Sequence, residues 1–338
     1  MGAVRLFIEF MPCLGDFVTQ LPILHALHER IQPLEIEVSV DAFGAALLED
    51  YAWVGRRYLR GRDWRSRTRP IPPSYRRPFD LLLYLRSNPA VKLTRLLVRA
   101  RRKLGAEAYD DARAPQGVVR HRYSILRHIL PGEPPEITTR LVLEPKRARE
   151  ALAAAGLAEG ARIACLGPGA GTPRRMWAAA RFGELGRSLR ERFDGVVVLG
   201  SPAEAGLCRE VAARALGVSF AGHPLPLTAA LLASSALYVG NDSGLSHLAA
   251  AQGCPAVSVG LESGGYYTPW QGYSLPGRLD ELSAAQVLAF LAERGLAATD
   301  ASDPARARAG ATAQWIRRSE KATLPVEFPG PEVPGSTP

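Results

Sequence analysis

The 338-residue chain is long enough for two globular domains, and a hydrophobic content of 47% can give each domain a core. Its formal charge of +9 comes almost entirely from arginine and favours an anionic partner, such as a phosphorylated lipid, a membrane surface or nucleic acid, although an arginine-rich proteome would explain it equally well. The four cysteines lack metal-ligand spacing, which indicates reduced thiols in a cytoplasmic protein, and no apolar run reaches membrane-spanning length.

In the first half of the chain, apolar runs alternate with segments of helical periodicity. The predicted elements are strands at 5–10, 35–40 and 80–85 and helices at 17–31 and 90–104. Pro22 is compatible with the first helix only near its start, because proline lacks the N–H that a helix interior needs. The opening of the chain is therefore predicted to be a βαβ unit.

Residues 55–77 form the most basic window of the chain, with nine arginines interleaved with Tyr58, Trp64 and Tyr75. Such a window can hold an anionic acceptor or lie against acidic lipid headgroups. It can also be a solvated loop, and we favour that interpretation for most of the arginines. We expect no nucleic acid partner, because the window contains no recognisable binding module.

The second half repeats the alternation after a proline-rich segment at 132–158, which we interpret as the domain boundary. The predicted strands lie at 163–166, 196–199, 236–240 and 256–260, and the predicted helices at 146–157, 177–192, 205–216, 225–235, 245–252 and 284–296. This pattern predicts two α/β domains, at 1–150 and 151–300. A tail at 301–338, rich in Pro, Ala and Gly, is expected to be poorly ordered.

Three loops that follow predicted strands carry candidate site residues. The first places Asp16 after a glycine. The second is Gly-rich (167–172) and is followed by Arg174 and Arg175, and the third reads Asn-Asp-Ser-Gly (241–244) before an Ala-rich helix. Glycines allow close backbone approach to a phosphate, and a helix N-terminus attracts anions. Neither the P-loop nor the Rossmann glycine pattern is present.

Taken together, these motifs resemble the heptosyltransferase family, family 9 of the glycosyltransferases. They are Leu-Gly-Asp at 14–16, Gly-Pro-Gly-Ala-Gly-Thr at 167–172 with Arg175 and Trp177, Gly-Ser-Pro-Ala-Glu at 200–204, and Gly-Asn-Asp-Ser-Gly-Leu-Ser-His at 240–247. The resemblance implies a GT-B fold, in which two doubly wound domains face each other across a cleft. It also implies an inverting, metal-independent transfer of a sugar, usually from ADP-heptose, without a cofactor.

The resemblance also assigns roles to individual residues. Asp16 matches the catalytic base, Arg175 the basic residue on the donor phosphates, and Glu204 a position near the nucleotide ribose. The remaining candidates for donor binding are Gly169, Thr172, Asp242, Ser243, Gly244 and His247. No residue is assigned to a metal.

Simpler structural roles compete with several of these assignments. Asp16 could have no role beyond capping the following helix, and His247 could be a core histidine. For Glu204, a role as a first-turn carboxylate that stabilises its helix is as well supported as a role at the ribose. The two arginines at 174–175 could be a surface pair. The segment 261–270 departs from the family's usual loop, which leaves the donor sugar and its nucleotide open.

Two other functions remain compatible with the sequence: a nucleotide-sugar epimerase of similar shape, and a nucleotide-sugar-binding protein without catalysis. Asp16 disfavours the second of these. The acceptor could be a glycan, a lipid-linked sugar such as the lipopolysaccharide core, a protein serine or a small molecule. We expect a bacterial protein in the cytoplasm, with peripheral contact at the inner membrane face through the 55–77 window.

Overall fold

The computed structural model describes residues 3–32, 34–59, 78–85, 95–110, 117–260 and 265–297. These residues fall into two compact units. The N-terminal unit contains the described residues up to 110 together with 119–138, and the C-terminal unit contains 117–118 and the described residues from 139 onward. The predicted tail at 301–338 lies outside the described residues.

The N-terminal unit is built on a parallel sheet of five strands in the order β3-β2-β1-β4-β5. The strands are β1 (Val4–Glu9), β2 (Leu34–Val40), β3 (Val54–Leu59), β4 (Phe79–Tyr84) and β5 (Ala100–Gly105). The helices in the described part are α1 (Leu14–Arg30), α2 (Ala42–Leu47) and α3 (Gly117–Tyr123). Strands β2 and β3 lie on one side of β1, and β4 and β5 lie on the other side. The topological switch point of this unit therefore lies between β1 and β4.

The C-terminal unit has a parallel six-stranded sheet in the order β11-β10-β9-β6-β7-β8. The strands are β6 (Ile163–Gly167), β7 (Gly195–Val198), β8 (Val218–Ser219), β9 (Leu237–Asn241), β10 (Ala256–Val259) and β11 (Tyr273–Leu275). The helices are α4 (Lys146–Ala154), α5 (Ala179–Leu189), α6 (Ala205–Ala215), α7 (Leu225–Ala233), α8 (Gly244–Ala251) and α9 (Ala284–Glu293). The switch point of this unit lies between β6 and β9, so the prediction of doubly wound α/β units is confirmed.

Helix α1 begins at Leu14, three residues earlier than predicted, so the expectation that Pro22 lies near its start is wrong. Pro22 sits in the helix interior, where a proline costs about 3 kcal/mol. All the residues from Phe17 to Leu27 are buried. The helix is thus buried on all sides over this stretch, and that burial offsets the cost of the proline. Helix rules based on sequence alone do not anticipate this.

The predicted helix at 90–104 is correct at residues 95–97, which are helical, and wrong from residue 100 onward, because residues 100–105 form the edge strand β5. This strand pairs with β4, and that pairing overrides the helical spacing of the leucines. Leu96 and Leu97 are 77% and 42% exposed, so the apolar face that suggested a helix is not buried. Residues 90–94 lie outside the described residues.

The basic window at 55–77 begins as the edge strand β3 rather than as a loop. Arg57 donates a hydrogen bond to the Tyr51 carbonyl at 3.0 Å, and the Tyr58 hydroxyl donates to Glu37 at 2.6 Å. These contacts give the two side chains structural roles. Residues 60–77, which contain most of the arginines, lie outside the described residues.

Candidate functional site

Asp16 lies near the carboxyl end of β1, in the first turn of α1. The N-cap residue of this helix is Cys13, whose side chain makes no capping hydrogen bond, so Asp16 is not the N-cap. A carboxylate in a first helical turn interacts favourably with the helix dipole. Its position beside the switch point is where open α/β sheets bind ligands.

A buried arginine, Arg122 of α3, holds Asp16 in place. Its Nη2 donates to Asp16 Oδ1 at 2.6 Å, and its Nη1 donates to the Asp16 carbonyl at 3.1 Å and to the Thr19 hydroxyl. The Arg122 side chain is 8% exposed and that of Asp16 is 26% exposed. The carboxylate is thus the member of the pair that a ligand can reach.

In the C-terminal unit, Glu204 and Gly169 lie against each other. Glu204 Oε2 accepts hydrogen bonds from the main-chain N–H and the hydroxyl of Ser201, both at 2.7 Å, and this capping box begins the turn before α6. A Cβ at position 169 would collide with the Glu204 carboxylate, so any other residue there would displace the Glu204 side chain. Glu204 therefore has the helix-stabilising role that the sequence left open.

Thr172 ends the Gly-rich loop and is the N-cap of an exposed one-turn 3₁₀ helix at Pro173–Arg175, whose last residue is Arg175. The Thr172 carbonyl accepts a hydrogen bond from the Arg175 N–H at 3.0 Å. The Arg175 guanidinium in turn pairs with Asp242, with 3.4 Å between Nη1 and Oδ2. The arginine is 54% exposed and the carboxylate 21%.

Asp242, Ser243 and Gly244 form the N-terminal end of α8. Ser243 is the N-cap residue, and its side chain makes no capping hydrogen bond. The main-chain N–H groups of the first turn are therefore available to other acceptors. Burial raises the pKa of the Asp242 carboxyl, and the Arg175 guanidinium opposes this shift. His247 lies one turn further along the helix and is buried.

Each switch point also contains a buried side-chain amide. In the N-terminal unit, Gln20 accepts from the Met11 N–H at 3.1 Å and donates to the Leu85 carbonyl at 2.6 Å. In the C-terminal unit, Asn241 accepts from the Trp177 N–H at 2.9 Å and donates to the Pro168 carbonyl at 2.7 Å. Each amide satisfies main-chain groups at the place where two neighbouring strands diverge.

A cavity of about 1140 Å³ lies in the C-terminal unit. Its wall includes Arg174, Arg175, Met176, Asp242, Tyr267 and Arg278. Of the predicted donor residues, Arg175 and Asp242 line this cavity. Gly169 and Glu204 form a separate pair, while Asp16 belongs to the other unit.

Sequence reasoning missed Arg122, Gln20 and Asn241 as site residues. Arg122 is separated from Asp16 by 106 positions, and no local pattern connects them. Asn241 did leave a signal, since it is a polar residue at the end of an apolar run, and such a residue needs buried partners.

The described residues contain neither a metal-ligand cluster nor a membrane-spanning helix. No cluster of three or more His, Cys, Asp or Glu side chains there could hold a metal ion. None of the helices there combines the length and apolar character that a membrane-spanning helix needs.

The chain matches known proteins at the level of family and fold. The sequence profile of glycosyltransferase family 9 (heptosyltransferase) matches residues 99–272, just over half of the chain. No curated protein matches the sequence significantly.

Three solved structures illustrate the similarity of fold. A family 9 glycosyl transferase from Veillonella parvula is 16% identical, with a TM-score of 0.74 over 86% of this chain and 96% of its own. The E. coli ADP-heptose lps heptosyltransferase II is 18% identical, with a TM-score of 0.65 over 86% and 98%. The E. coli heptosyltransferase WaaC with ADP is 18% identical, with a TM-score of 0.70 over 88% and 99%.

At these identities the structural matches establish the fold, and the predicted GT-B class is confirmed. The profile match covers the N-terminal unit only from residue 99 onward and most of the C-terminal unit, including Arg122, Arg175 and the 240–247 motif. It does not reach Asp16. The chain belongs to glycosyltransferase family 9, the heptosyltransferase family, and is a glycosyltransferase.

Proposed function

We propose that the protein transfers a heptose from ADP-heptose to an acceptor hydroxyl, with inversion at the anomeric carbon. In this proposal the C-terminal unit binds the donor, and the N-terminal unit supplies Asp16 as the general base. The sequence motifs and the family support the reaction class. The similar E. coli enzymes described above, one named for ADP-heptose and one bound to ADP, support the choice of donor.

The observation that carries the proposal is the position of Arg175 and Asp242 on the wall of the 1140 Å³ cavity. The cavity lies beside the N-terminus of α8, where the helix dipole favours an anion. Arg175 is more than half exposed, so it can exchange Asp242 for a phosphate at little cost. A nucleoside diphosphate fits this combination of charge and space.

The proposed reaction is a single displacement. The acceptor oxygen attacks the anomeric carbon as its proton passes to the Asp16 carboxylate. The bond between this carbon and the diphosphate oxygen breaks, and its electron pair stays on the departing nucleotide. Attack opposite the leaving group inverts the configuration at the anomeric carbon.

Negative charge accumulates on the departing diphosphate, and the C-terminal unit carries the groups that can stabilise it. Arg175 supplies a guanidinium, which can bind two phosphate oxygens at once. The first-turn N–H groups of α8 supply preorganised hydrogen-bond donors. We propose that these groups suffice without a metal ion or cofactor, and transfer by metal-stripped enzyme would test this part of the mechanism.

The remaining donor residues have more local roles in the proposal. Gly169 lets the main chain approach the nucleotide closely, with Glu204 beside the ribose, while Thr172 carries the Arg175 turn. Ser243, Gly244 and His247 contact the phosphates or the sugar from α8. Asp242 pairs with Arg175 until the donor phosphate replaces it, and then accepts a hydrogen bond from the donor.

We further propose that the acceptor is a glycan, a lipid-linked sugar or a small molecule, and that the enzyme acts in the bacterial cytoplasm. Peripheral contact with the inner membrane face through residues 55–77 is part of this proposal. Binding of the protein to vesicles with and without anionic lipid would test it. A variant in which these arginines are replaced serves as the comparison.

The decisive experiment begins with a calorimetric screen of ADP-, GDP-, UDP- and CDP-sugars. Turnover of the binder by wild type and by Asp16→Asn follows, and the anomeric configuration of the product is read by NMR. We expect an inverted product and a turnover reduced by about a hundredfold or more in Asp16→Asn. Equal turnover would exclude Asp16 as the base, and binding without turnover would favour a non-catalytic protein.

A further inference from the structure

Asn241 occupies an unusual place for an amide side chain. It is the last residue of β9, it has no exposed surface, and it lies at the switch point between β6 and β9. Burying an amide is unfavourable unless its donor and its acceptor are both used. Here both are used, and both partners belong to the main chain.

The partners of Asn241 come from segments that are far apart in sequence. The Pro168 carbonyl, which accepts from Nδ2 at 2.7 Å, belongs to the Gly-rich loop after β6. The Trp177 N–H, which donates to Oδ1 at 2.9 Å, lies two residues after the end of the Arg175 turn. The main-chain carbonyl of Asn241 accepts from the Ser246 hydroxyl at 2.7 Å, inside α8.

One end of this network is rigidly anchored. Trp177 is 1% exposed, packs edge-on against Phe182 and donates from its indole nitrogen to the Leu282 carbonyl at 2.8 Å. The segment that carries Arg175 therefore has a fixed base. Asn241 connects that base to the Gly-rich loop on one side and to the start of α8 on the other.

We propose that Asn241 is a positioning residue of the donor site. Its side-chain amide fixes the distance between the three segments that would bind the nucleoside diphosphate: the Gly-rich loop, the Arg175 turn and the first turn of α8. This inference rests on the proposed function, because it assumes that the diphosphate binds there. Displacements of about 1 Å at such sites can change reactivity about a hundredfold, so loss of the Asn241 hydrogen bonds should change how the site functions.

Two substitutions separate the connections. Asn241→Ala removes both side-chain hydrogen bonds. Asn241→Asp keeps an acceptor for the Trp177 N–H, but its ionised form cannot donate to the Pro168 carbonyl. A protonated Asp at this position can do both, as the natural amide does. Burial favours the protonated form, so its effect will depend on pH.

Leu189→Ala is the matched control. Leu189 is the last residue of α5, is fully buried in the same core as Trp177, and is not part of the donor segments. Its truncation destabilises the unit through a cavity and leaves the Asn241 hydrogen bonds in place. Comparison at a temperature where all variants are folded separates lost stability from lost positioning.

The experiment is calorimetric titration of ADP into wild type, Asn241→Ala, Asn241→Asp and Leu189→Ala, from about pH 5 to about pH 8. Titratable groups around the site, namely Arg174, Arg175, Glu204, Tyr238, Asp242 and His247, are common to all four proteins. The informative quantity is therefore each variant's affinity relative to wild type at the same pH. Amide hydrogen exchange at residues 167–178 gives a readout that is independent of ADP.

We expect Asn241→Ala to bind ADP about tenfold or more weakly at every pH, with faster exchange at residues 167–178. Asn241→Asp should approach wild-type affinity at the acid end and lose about tenfold at the basic end. Leu189→Ala should bind as wild type does. If Asn241→Ala fails to fold, Asn241→Asp carries the test alone.

Unchanged ADP affinity in both Asn241 variants, or an equal loss in Leu189→Ala, would overturn the positioning role and leave the proposed function intact. A pH-independent loss in Asn241→Asp would also contradict it, because the protonated carboxyl should restore the connection. If wild type bound no nucleoside diphosphate, the proposed function would fail and the inference with it.

Discussion

Each unit has an ion pair beside its switch point, and the two pairs differ in which member is the more exposed. In the N-terminal unit the arginine of the Asp16–Arg122 pair is 8% exposed and the carboxylate 26%. In the C-terminal unit the arginine of the Asp242–Arg175 pair is 54% exposed and the carboxylate 21%. Two similar parallel sheets thus offer a carboxylate in one case and a guanidinium in the other.

The difference in burial determines what each pair can do. A buried guanidinium cannot lose its partner without a large desolvation penalty, so Arg122 remains with Asp16 and orients it. An exposed pair is worth little and exchanges readily, so Arg175 can move to an anionic ligand. Burial therefore suits one pair to hold a base and the other to bind an anion.

Acid should act in opposite directions at His25 of the N-terminal unit and at Asp242 of the C-terminal unit, and this is the largest effect that we expect. In the N-terminal unit, burial lowers the pKa of His25 from its usual 6.5 to about 4, with a smaller contribution in the same direction from His28. The folded state therefore favours neutral His25. Stability is complete above the unfolded-state pKa and is lost as the pH falls from about 6.5 toward about 4, by about 1.4 kcal/mol per pH unit.

In the C-terminal unit the raised pKa of Asp242 has the opposite sign, because its penalty is relieved as the pH falls. Scanning calorimetry across this pH range, together with amide hydrogen exchange followed in peptides of each unit, would measure the contrast. In His25→Gln the acid-dependent slope of the N-terminal unit should largely disappear. An unchanged slope would show that His25 is not its source.

Replacing Arg122 should impair catalysis without affecting donor binding. In Arg122→Ala, Asp16 loses the guanidinium that orients it, and we expect turnover to fall about a hundredfold. Arg122→Lys should recover part of the rate, because it restores a charge without the planar fork. Steady-state rates at saturating donor provide the measurement, and a change confined to the KM of the donor would contradict the assignment.

Arg122 and Arg175 should differ in their contribution to the free energy of unfolding. Arg122→Ala removes the hydrogen bonds to Asp16 and Thr19 and should cost about 1–3 kcal/mol. Arg175→Ala breaks a largely exposed pair and should cost less than about 1 kcal/mol. Urea unfolding of both variants would compare them, and equal losses would remove the distinction between the pairs.

Thiol labelling should distinguish the units without perturbing either. Cys13, beside Asp16, is exposed, whereas burial raises the pKa of Cys165 and Cys208 to about 12 and that of Cys254 well above its usual value. Iodoacetamide at about pH 8 should therefore modify Cys13 in the native protein and all four thiols after denaturation. Native labelling of Cys165, read by peptide mass spectrometry, would contradict the described burial.

The central strands were predictable from sequence, whereas several edge elements were not. β1, β6 and β9 are buried on both faces, so they read as largely apolar runs, interrupted in β1 by Arg5 and Glu9. The edge strand β5 reads Ala-Arg-Arg-Lys-Leu-Gly, a polar sequence that forms a strand only through its pairing with β4. The edge strands β8 and β11 have only 2 and 3 residues, which is too short to leave a periodic pattern in the sequence.

The candidate site shows a similar limit. Local motifs identified the loops that carry Asp16, Arg175 and Asp242, because loops after parallel strands gather at one edge of a sheet. The side chains that hold those loops, Arg122 and Asn241, act through partners that are distant in sequence. Only the three-dimensional structure could reveal these contacts.

The central claim is that the two units divide the work, with the base in one and the donor-binding guanidinium in the other. Calorimetric titration of ADP into wild type, Asp16→Asn and Arg175→Ala tests it most directly. We predict equal affinity for wild type and Asp16→Asn, and affinity weaker by about tenfold for Arg175→Ala. Loss of affinity in Asp16→Asn with none in Arg175→Ala would contradict this division.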